Sequence, residues 1–330
     1  MRESTVLVTD HTWDSTSIEA EVLARVGARI VEAAHDSEEH LVELARGADA
    51  ILTCFATVGP AVMGASDRLR VVARYGIGVD NIAVADATRL GIPVTNVPRY
   101  CADEVAEHVI ALIFALVRGV HQYDAAIRSG NWSLGTVRQT RRIAGCTLGI
   151  IGYGHIGEAL ADRARGLKLT VIVHDPAREV ELQRLGIETV TLEEVARRSD
   201  FISLHAPLND FTRGLVDAAF LAEMKPEAYL INAARGGLVD QAALLDALRL
   251  HRIAGAGIDV FVPERLPVEH PLLAQESLLA TPHTAFYSEE SVRDLARLAA
   301  ESVAAILSGR KPPSVVNPEV LSLPRWSHLV

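Results

Sequence analysis

One six-residue loop limits what this chain can fold into. Gly152-Tyr153-Gly154-His155-Ile156-Gly157 follows the apolar run Leu148-Gly149-Ile150-Ile151 and precedes a stretch with helical spacing. Three glycines so placed between a strand and a helix have separate uses. The first permits a tight turn, the second lets the backbone approach a diphosphate, and the third lets the helix pack closely on the strand. The helix start then offers unpaired N–H groups to the anion. The next strand, 170–174, ends at Asp175, 18 residues beyond Gly157. A carboxylate there accepts hydrogen bonds from the adenosine ribose and repels a 2′-phosphate, which favours NAD over NADP. Arg178, three residues on, works against that preference.

The surrounding sequence alternates strand and helix. Apolar runs at 147–151, 170–174, 201–204, 229–232, 255–259 and 278–280 predict six strands, with helices at 156–165, 192–198, 219–224 and 241–250 between them. Such a series makes a parallel sheet covered on both faces, a full dinucleotide-binding sheet. An earlier series predicts strands at 5–9, 28–33, 50–53, 69–73 and 93–95, with helices at 17–26, 38–47 and 84–90. Between the two series, 105–120 is apolar on nearly every side and predicts one buried helix. Residues 130–142 predict an extended excursion, and 288–308 a last long helix. The fold class is therefore α/β.

Composition narrows the function. At 330 residues the chain suits about two domains. A net charge of −10 disfavours a nucleic-acid partner. The short basic run Arg138, Arg141 and Arg142 reads as a solvated face or a protein contact. Three cysteines, Cys54, Cys101 and Cys146, neither pair evenly nor have metal-ligand spacing. The longest apolar run, 109–117, has nine residues where a membrane span needs about 20, and the N-terminus lacks a secretory pattern. The expected compartment is the cytoplasm, with no membrane and no metal.

Three polar residues follow later strands of the second series: Arg235 after 229–232, Glu264 after 255–259, and His283 after 278–280. Ligands of open α/β sheets bind beyond the carboxyl ends of the strands, so all three can converge beside a nicotinamide. A histidine can exchange a hydroxyl proton near neutral pH. A glutamate can hold its other ring nitrogen, and an arginine can bind a carboxylate in bidentate fashion.

The motifs Arg74-Tyr75-Gly76-Ile77-Gly78-Val79-Asp80-Asn81, Asn96-Val97-Pro98, Val105-Ala106-Glu107-His108, the 152–157 loop, His205-Ala206-Pro207-Leu208, Asn232-Ala233-Ala234-Arg235-Gly236-Gly237, Gly257-Ile258-Asp259-Val260-Phe261 and Thr281-Pro282-His283 occur in this order. In them the chain resembles the D-isomer-specific 2-hydroxy acid dehydrogenases over about residues 5–320. The branch it most resembles holds the C-terminal-binding proteins, with phosphoglycerate dehydrogenases and glyoxylate or hydroxypyruvate reductases as neighbours. The resemblance implies two doubly wound parallel-sheet domains. A Rossmann-like cofactor domain (102–286) is inserted into a flavodoxin-like, discontinuous substrate domain (1–101 and 287–330). It implies that Arg235, Glu264 and His283 are catalytic. It assigns cofactor contacts to Cys101, Gly152, Gly154, His155, Ile156, Gly157, Asp175, His205, Ala206, Pro207, Thr212, Ala233, Ala234, Arg235, Asp259, His283 and Ala285. Substrate contacts fall on Tyr75, Gly76, Ile77, Arg235 and His283, and the excursion at 120–145 resembles a homodimerisation arm. Arg265 stands where many relatives have proline, and Phe286 where the C-terminal-binding proteins have tryptophan. The few residues beyond the resemblance leave no span for the regulatory domains of long phosphoglycerate dehydrogenases. The expected activity is NAD-dependent interconversion of a 2-oxo acid and a D-2-hydroxy acid. An NAD(H)-sensing binding protein, or oxidation of formate or phosphite, are the alternatives.

Overall fold

The computed structural model describes residues 3–136 and 140–329, so Arg138 lies outside the described residues. The chain divides into two compact units, Met1–Tyr100 with Ser288–Val330, and Cys101–Tyr287.

The first unit begins β1 (Ser4–Val8), α1 (Ser17–Ala24), β2 (Ala28–Glu32), α2 (Glu38–Ala45), β3 (Ala50–Thr53), α3 (Pro60–Met63), β4 (Val72–Arg74), α4 (Val84–Arg89) and β5 (Val94–Thr95). Its strands form one parallel sheet in the order β2-β1-β3-β4-β5. The order reverses between β1 and β3. Successive strand residues face opposite sides, so Val6 and Val8 enter one core with Leu23, Leu52 and Tyr75, while Leu7 enters the other with Leu41, Ile51 and Val72. Burial on both faces explains why β1 and β3 read as continuous apolar runs rather than alternating ones.

The second unit comprises α5 (Ala102–Arg118), α6 (Val120–Arg128), β6 (Thr147–Ile151), α7 (His155–Gly166), β7 (Thr170–His174), α8 (Glu179–Arg184), α9 (Leu192–Arg198), β8 (Phe201–Leu204), α10 (Ala218–Glu223), β9 (Tyr229–Asn232), α11 (Gln241–Arg249), β10 (Gly255–Ile258) and β11 (Leu278–Ala280). Its six strands are parallel in the order β11-β10-β9-β8-β6-β7. A one-residue bridge, Val173 to Thr189, extends the sheet beyond β7. The switch point falls between β6 and β8. The chain ends in the first unit with α12 (Glu289–Leu307), whose Leu295, Ala299 and Val303 join the core of Val6 and Val8.

The helix expected over 105–120 is α5, and a second helix, α6, follows it directly. Gly119 takes a left-handed φ of +58°, which closes α5 and starts α6. The inner face of α5 (Val109, Leu112, Ile113 and Leu116) packs with Leu148 and Ile150 of β6. Among the described residues no helix is long and apolar enough to cross a membrane, and no group of His, Cys, Asp or Glu is arranged to hold a metal ion.

Candidate active site

Because all strands of the second unit are parallel, the loops leaving their carboxyl ends share one edge. The glycine loop leaves β6. Gly152 sits at φ +90°, and a Cβ there would lie 2.6 Å from the Ala206 amide nitrogen in the loop after β8. At Gly157 a Cβ would lie 2.6 Å from the Gly152 carbonyl oxygen, so this glycine lets α7 close onto the loop. A Cβ at Gly154 would meet nothing within 4 Å, which leaves the middle of the loop open for a diphosphate. The first amide of α7 bonded back to the loop is that of Glu158, on the Gly154 carbonyl, and those of Ile156 and Gly157 stay available to an anion. This combination of two filled positions and one open one fits a dinucleotide.

Asp175, half-buried after β7, reaches back over the loop. Its Oδ2 accepts from the Tyr153 amide at 2.8 Å and its Oδ1 from the Ala177 amide at 3.1 Å. Arg178 is engaged by both carboxylate oxygens of Glu181, at 3.0 and 2.7 Å, and also donates to the Tyr153 carbonyl. That pairing draws the guanidinium away from a 2′-phosphate role. After β8, the His205 imidazole has Nε2 at 2.8 Å from Ser203 Oγ, while its buried Nδ1 has no partner among the described residues. Burial lowers its pKa to about 4, so the ring is neutral at pH 7. Thr212 closes the same loop by donating to the Pro207 carbonyl at 2.6 Å. Ala233 and Ala234 follow β9 directly, with the Ala234 amide on Asn232 Oδ1 at 3.1 Å. Cys101 is buried at the start of α5, its carbonyl accepting from the Val105 amide.

The three catalytic candidates come together at the β9–β11 end. His283 Nδ1 lies 2.5 Å from Glu264 Oε1. Burial alone would raise the Glu264 pKa, but the hydrogen bond and charge of His283, the Phe261 amide and the Arg235 charge outweigh it and hold the carboxyl below its usual range. Arg235 donates to the Ala234 carbonyl at 2.8 Å. The next residue, Gly236, touches the Phe261 backbone so closely that a Cβ would lie 2.4 Å away, which ties the Arg235 loop to the Glu264 loop. His283 itself has φ +55°, a left-handed conformation that a β-substituted residue adopts at a cost of about 1–2 kcal/mol. Asp259, 0% exposed, holds it there. Its carbonyl accepts from the His283 amide at 2.7 Å, Oδ1 from Thr281 Oγ1 at 2.6 Å and the Thr284 amide at 2.9 Å, and Oδ2 from the Ala285 amide at 2.9 Å. Asp259 thus supports the histidine loop with both carboxylate oxygens.

The turn expected to bind a carboxylate lies after β4 in the first unit. Gly76 has φ +141°, and the amides of Ile77 and Gly78 take no acceptor among the described residues. The carbonyls of Gly76 and Ile77 are fixed by the Val97 amide at 2.9 Å and Asn96 Nδ2 at 2.7 Å. Tyr75 corrects the sequence reading. Its side chain is 0% exposed with the hydroxyl on Glu19, and its amide is bonded to the Thr53 carbonyl, so it supports the turn from below instead of facing a ligand.

Residues 110–285 match the family described as D-isomer specific 2-hydroxyacid dehydrogenase, NAD binding domain. The chain belongs to this family. It is 38% identical to a glyoxylate reductase of Korarchaeum cryptofilum, over 87% of this chain and 88% of the relative. A glyoxylate reductase of Aeropyrum pernix is 39% identical over 86% and 88%. A D-lactate dehydrogenase from Aquifex aeolicus, solved with NAD and lactic acid, superposes with a TM-score of 0.84 at 26% identity, covering 92% of this chain and 96% of that one. The protein is thus a D-2-hydroxyacid dehydrogenase that uses NAD.

Two supports of this dehydrogenase site escaped the sequence reading. The Gln241 side-chain amide bonds both backbone groups of Val262, with Nε2 donating to the carbonyl at 2.6 Å and Oε1 accepting from the amide at 3.1 Å, which clamps the loop of Glu264. His108 on α5 places Nε2 3.1 Å from Thr281 Oγ1, behind the histidine loop. Gln241 gave no signal because its partner is a loop backbone 21 residues away. His108 stood inside a motif, but nothing local points it at Thr281.

Proposed function

We propose that this dehydrogenase reduces a small 2-oxo acid to the D-2-hydroxy acid, with His283 as acid, Glu264 as its partner and Arg235 as the carboxylate anchor. The observation that carries the reading is the 2.5 Å His283–Glu264 hydrogen bond on the sheet edge that also holds Arg235. Glu264 takes Nδ1, so the proton exchanged with substrate is the one on Nε2. NADH, when bound, supplies the hydride. The residues to hold it are the 152–157 loop for the diphosphate, Asp175 for the adenosine ribose, and the loops of His205, Ala233 and Ala285 for the rest. Arg235 binds the substrate carboxylate and draws electron density from the adjacent carbonyl. His283 donates its Nε2 proton to the carbonyl oxygen as that oxygen gains charge, and Glu264 stabilises the imidazolium before transfer. Within the first unit, the free amides of Ile77 and Gly78 form a turn suited to a carboxylate. The glyoxylate reductase relatives favour a small substrate.

We also assign the protein to the cytoplasm as a homodimer. The support for the dimer is an apolar set around α6, with Val120 60%, Trp132 81% and Leu134 88% exposed, that a second copy would cover. The net charge of −10 supports the absence of a nucleic-acid partner.

The test is NADH and NADPH oxidation across glyoxylate, hydroxypyruvate, pyruvate and larger 2-oxo acids. Turnover with NADH, lost in Arg235→Ala and His283→Ala, supports the assignment. Tight NADH binding with no turnover on any acid sinks it and points to a sensor.

A further inference from the structure

Glu19 is a carboxyl group that the mechanism above leaves unused. It lies in the first turn of α1 and is 0% exposed. Its Oε1 accepts hydrogen bonds from the Tyr75 hydroxyl at 3.0 Å and Trp13 Nε1 at 3.2 Å, while Oε2 has no hydrogen-bond partner among the described residues. Trp13 meets the Tyr75 ring edge-on at 4.9 Å, and its carbonyl lies 2.7 Å from His11 Nδ1. Burial pushes the Glu19 carboxyl above its ordinary pKa despite these donors. A hydrophobic side chain of similar volume fills such a space at lower cost, so packing alone does not account for a carboxyl here.

What Glu19 holds is the residue that opens the substrate turn. Tyr75 is pinned at three points: its hydroxyl on Glu19, its amide on the Thr53 carbonyl at 2.8 Å, and its carbonyl under the Arg74 guanidinium. The chain then reverses at Gly76 and presents the Ile77 and Gly78 amides. We propose that Glu19 is a positioning residue for the substrate carboxylate, acting through Tyr75 to set the direction of those two amides. The inference rests on reading the turn as a carboxylate cradle.

Three variants test it: Glu19→Met keeps the volume without the acceptor, Glu19→Gln keeps an acceptor oxygen, and Tyr75→Phe removes only the hydroxyl. Steady-state kinetics on the 2-oxo acid that the parent turns over are paired with hydrogen–deuterium exchange of the 72–82 segment. Glu19→Met and Tyr75→Phe are expected to raise KM for the acid about fivefold to tenfold with kcat and NADH affinity within about twofold, and Glu19→Gln to recover the parent KM. Exchange in the segment quickens in the first two variants and not in the third. Unchanged KM in Tyr75→Phe and Glu19→Met overturns the proposal, as does a Glu19→Gln variant as impaired as Glu19→Met. If Glu19→Met does not fold, Tyr75→Phe decides. A parent inert on every acid overturns the catalytic reading of the turn, and the exchange comparison then judges the Glu19–Tyr75 link alone, with equal exchange ending it.

Discussion

At the β6–β7 end of the second sheet, the site is shaped by side chains that are missing. At the β9–β11 end it is shaped by polar side chains that reach across from neighbouring loops. Gly152, Gly154 and Gly157 leave room and bare amides, and Asp175 is oriented by backbone N–H groups, those of Ala177 and of Tyr153, 22 residues away. His283 and Glu264 instead depend on the side chains of Asp259 and Gln241 and on the close backbone approach at Gly236. The difference follows from the task. An anion is held by any converging set of N–H dipoles, whereas a proton must be passed along one direction, and direction requires a scaffold.

That contrast can be broken experimentally. The largest effect is expected from His283→Ala, which should cut kcat/KM by about a thousandfold while leaving NADH affinity within about twofold. A matching loss in a direct NADH titration would show that the two ends are one unit. Gly152→Val places a Cβ 2.6 Å from the Ala206 amide at φ +90°. It should weaken NADH binding at least tenfold and destabilise the protein by about 2–4 kcal/mol, read by calorimetry. Asp175→Ser sharpens the comparison at the same end: the ratio of kcat/KM for NADPH over NADH should rise by about tenfold. Gln241→Leu removes the clamp on Val262 and should lower kcat about threefold to tenfold with little change in melting temperature. The smallest effect is a pH slope. His205 is protonated near pH 6.5 when unfolded but only near its lowered value of about 4 when folded. Between these values acidification therefore favours the unfolded state, so stability present above pH 6.5 is lost as the pH falls toward 4. Melting temperatures measured across that range should slope less in His205→Gln.

The glycine loop and all six strands around it were legible because they are local patterns: a period, a turn residue, an acid at a fixed distance. Arg235, Glu264 and His283 were legible as a set only because each follows a strand and the strands run parallel. The helix α5 was legible to within three residues at its start and two at its end, but α6 was not, since only Ala126 of its nine residues is buried. α8 escaped because its six residues bury only Leu182. Tyr75 was assigned to the ligand because it adjoins the turn, but strand alternation sends its ring to the core side. Asp259 and Gln241 act through contacts that no local spacing encodes.

The left-handed backbone at His283 has a consequence for how this protein changes under selection. Glycine is the residue that the conformation there prefers, so His283→Gly relieves strain while removing the acid. A search for heat-tolerant variants that scored folding alone would be drawn toward that substitution and away from turnover. Durability and chemistry are thus opposed at a single φ angle, and any directed evolution of this enzyme has to screen for both at once.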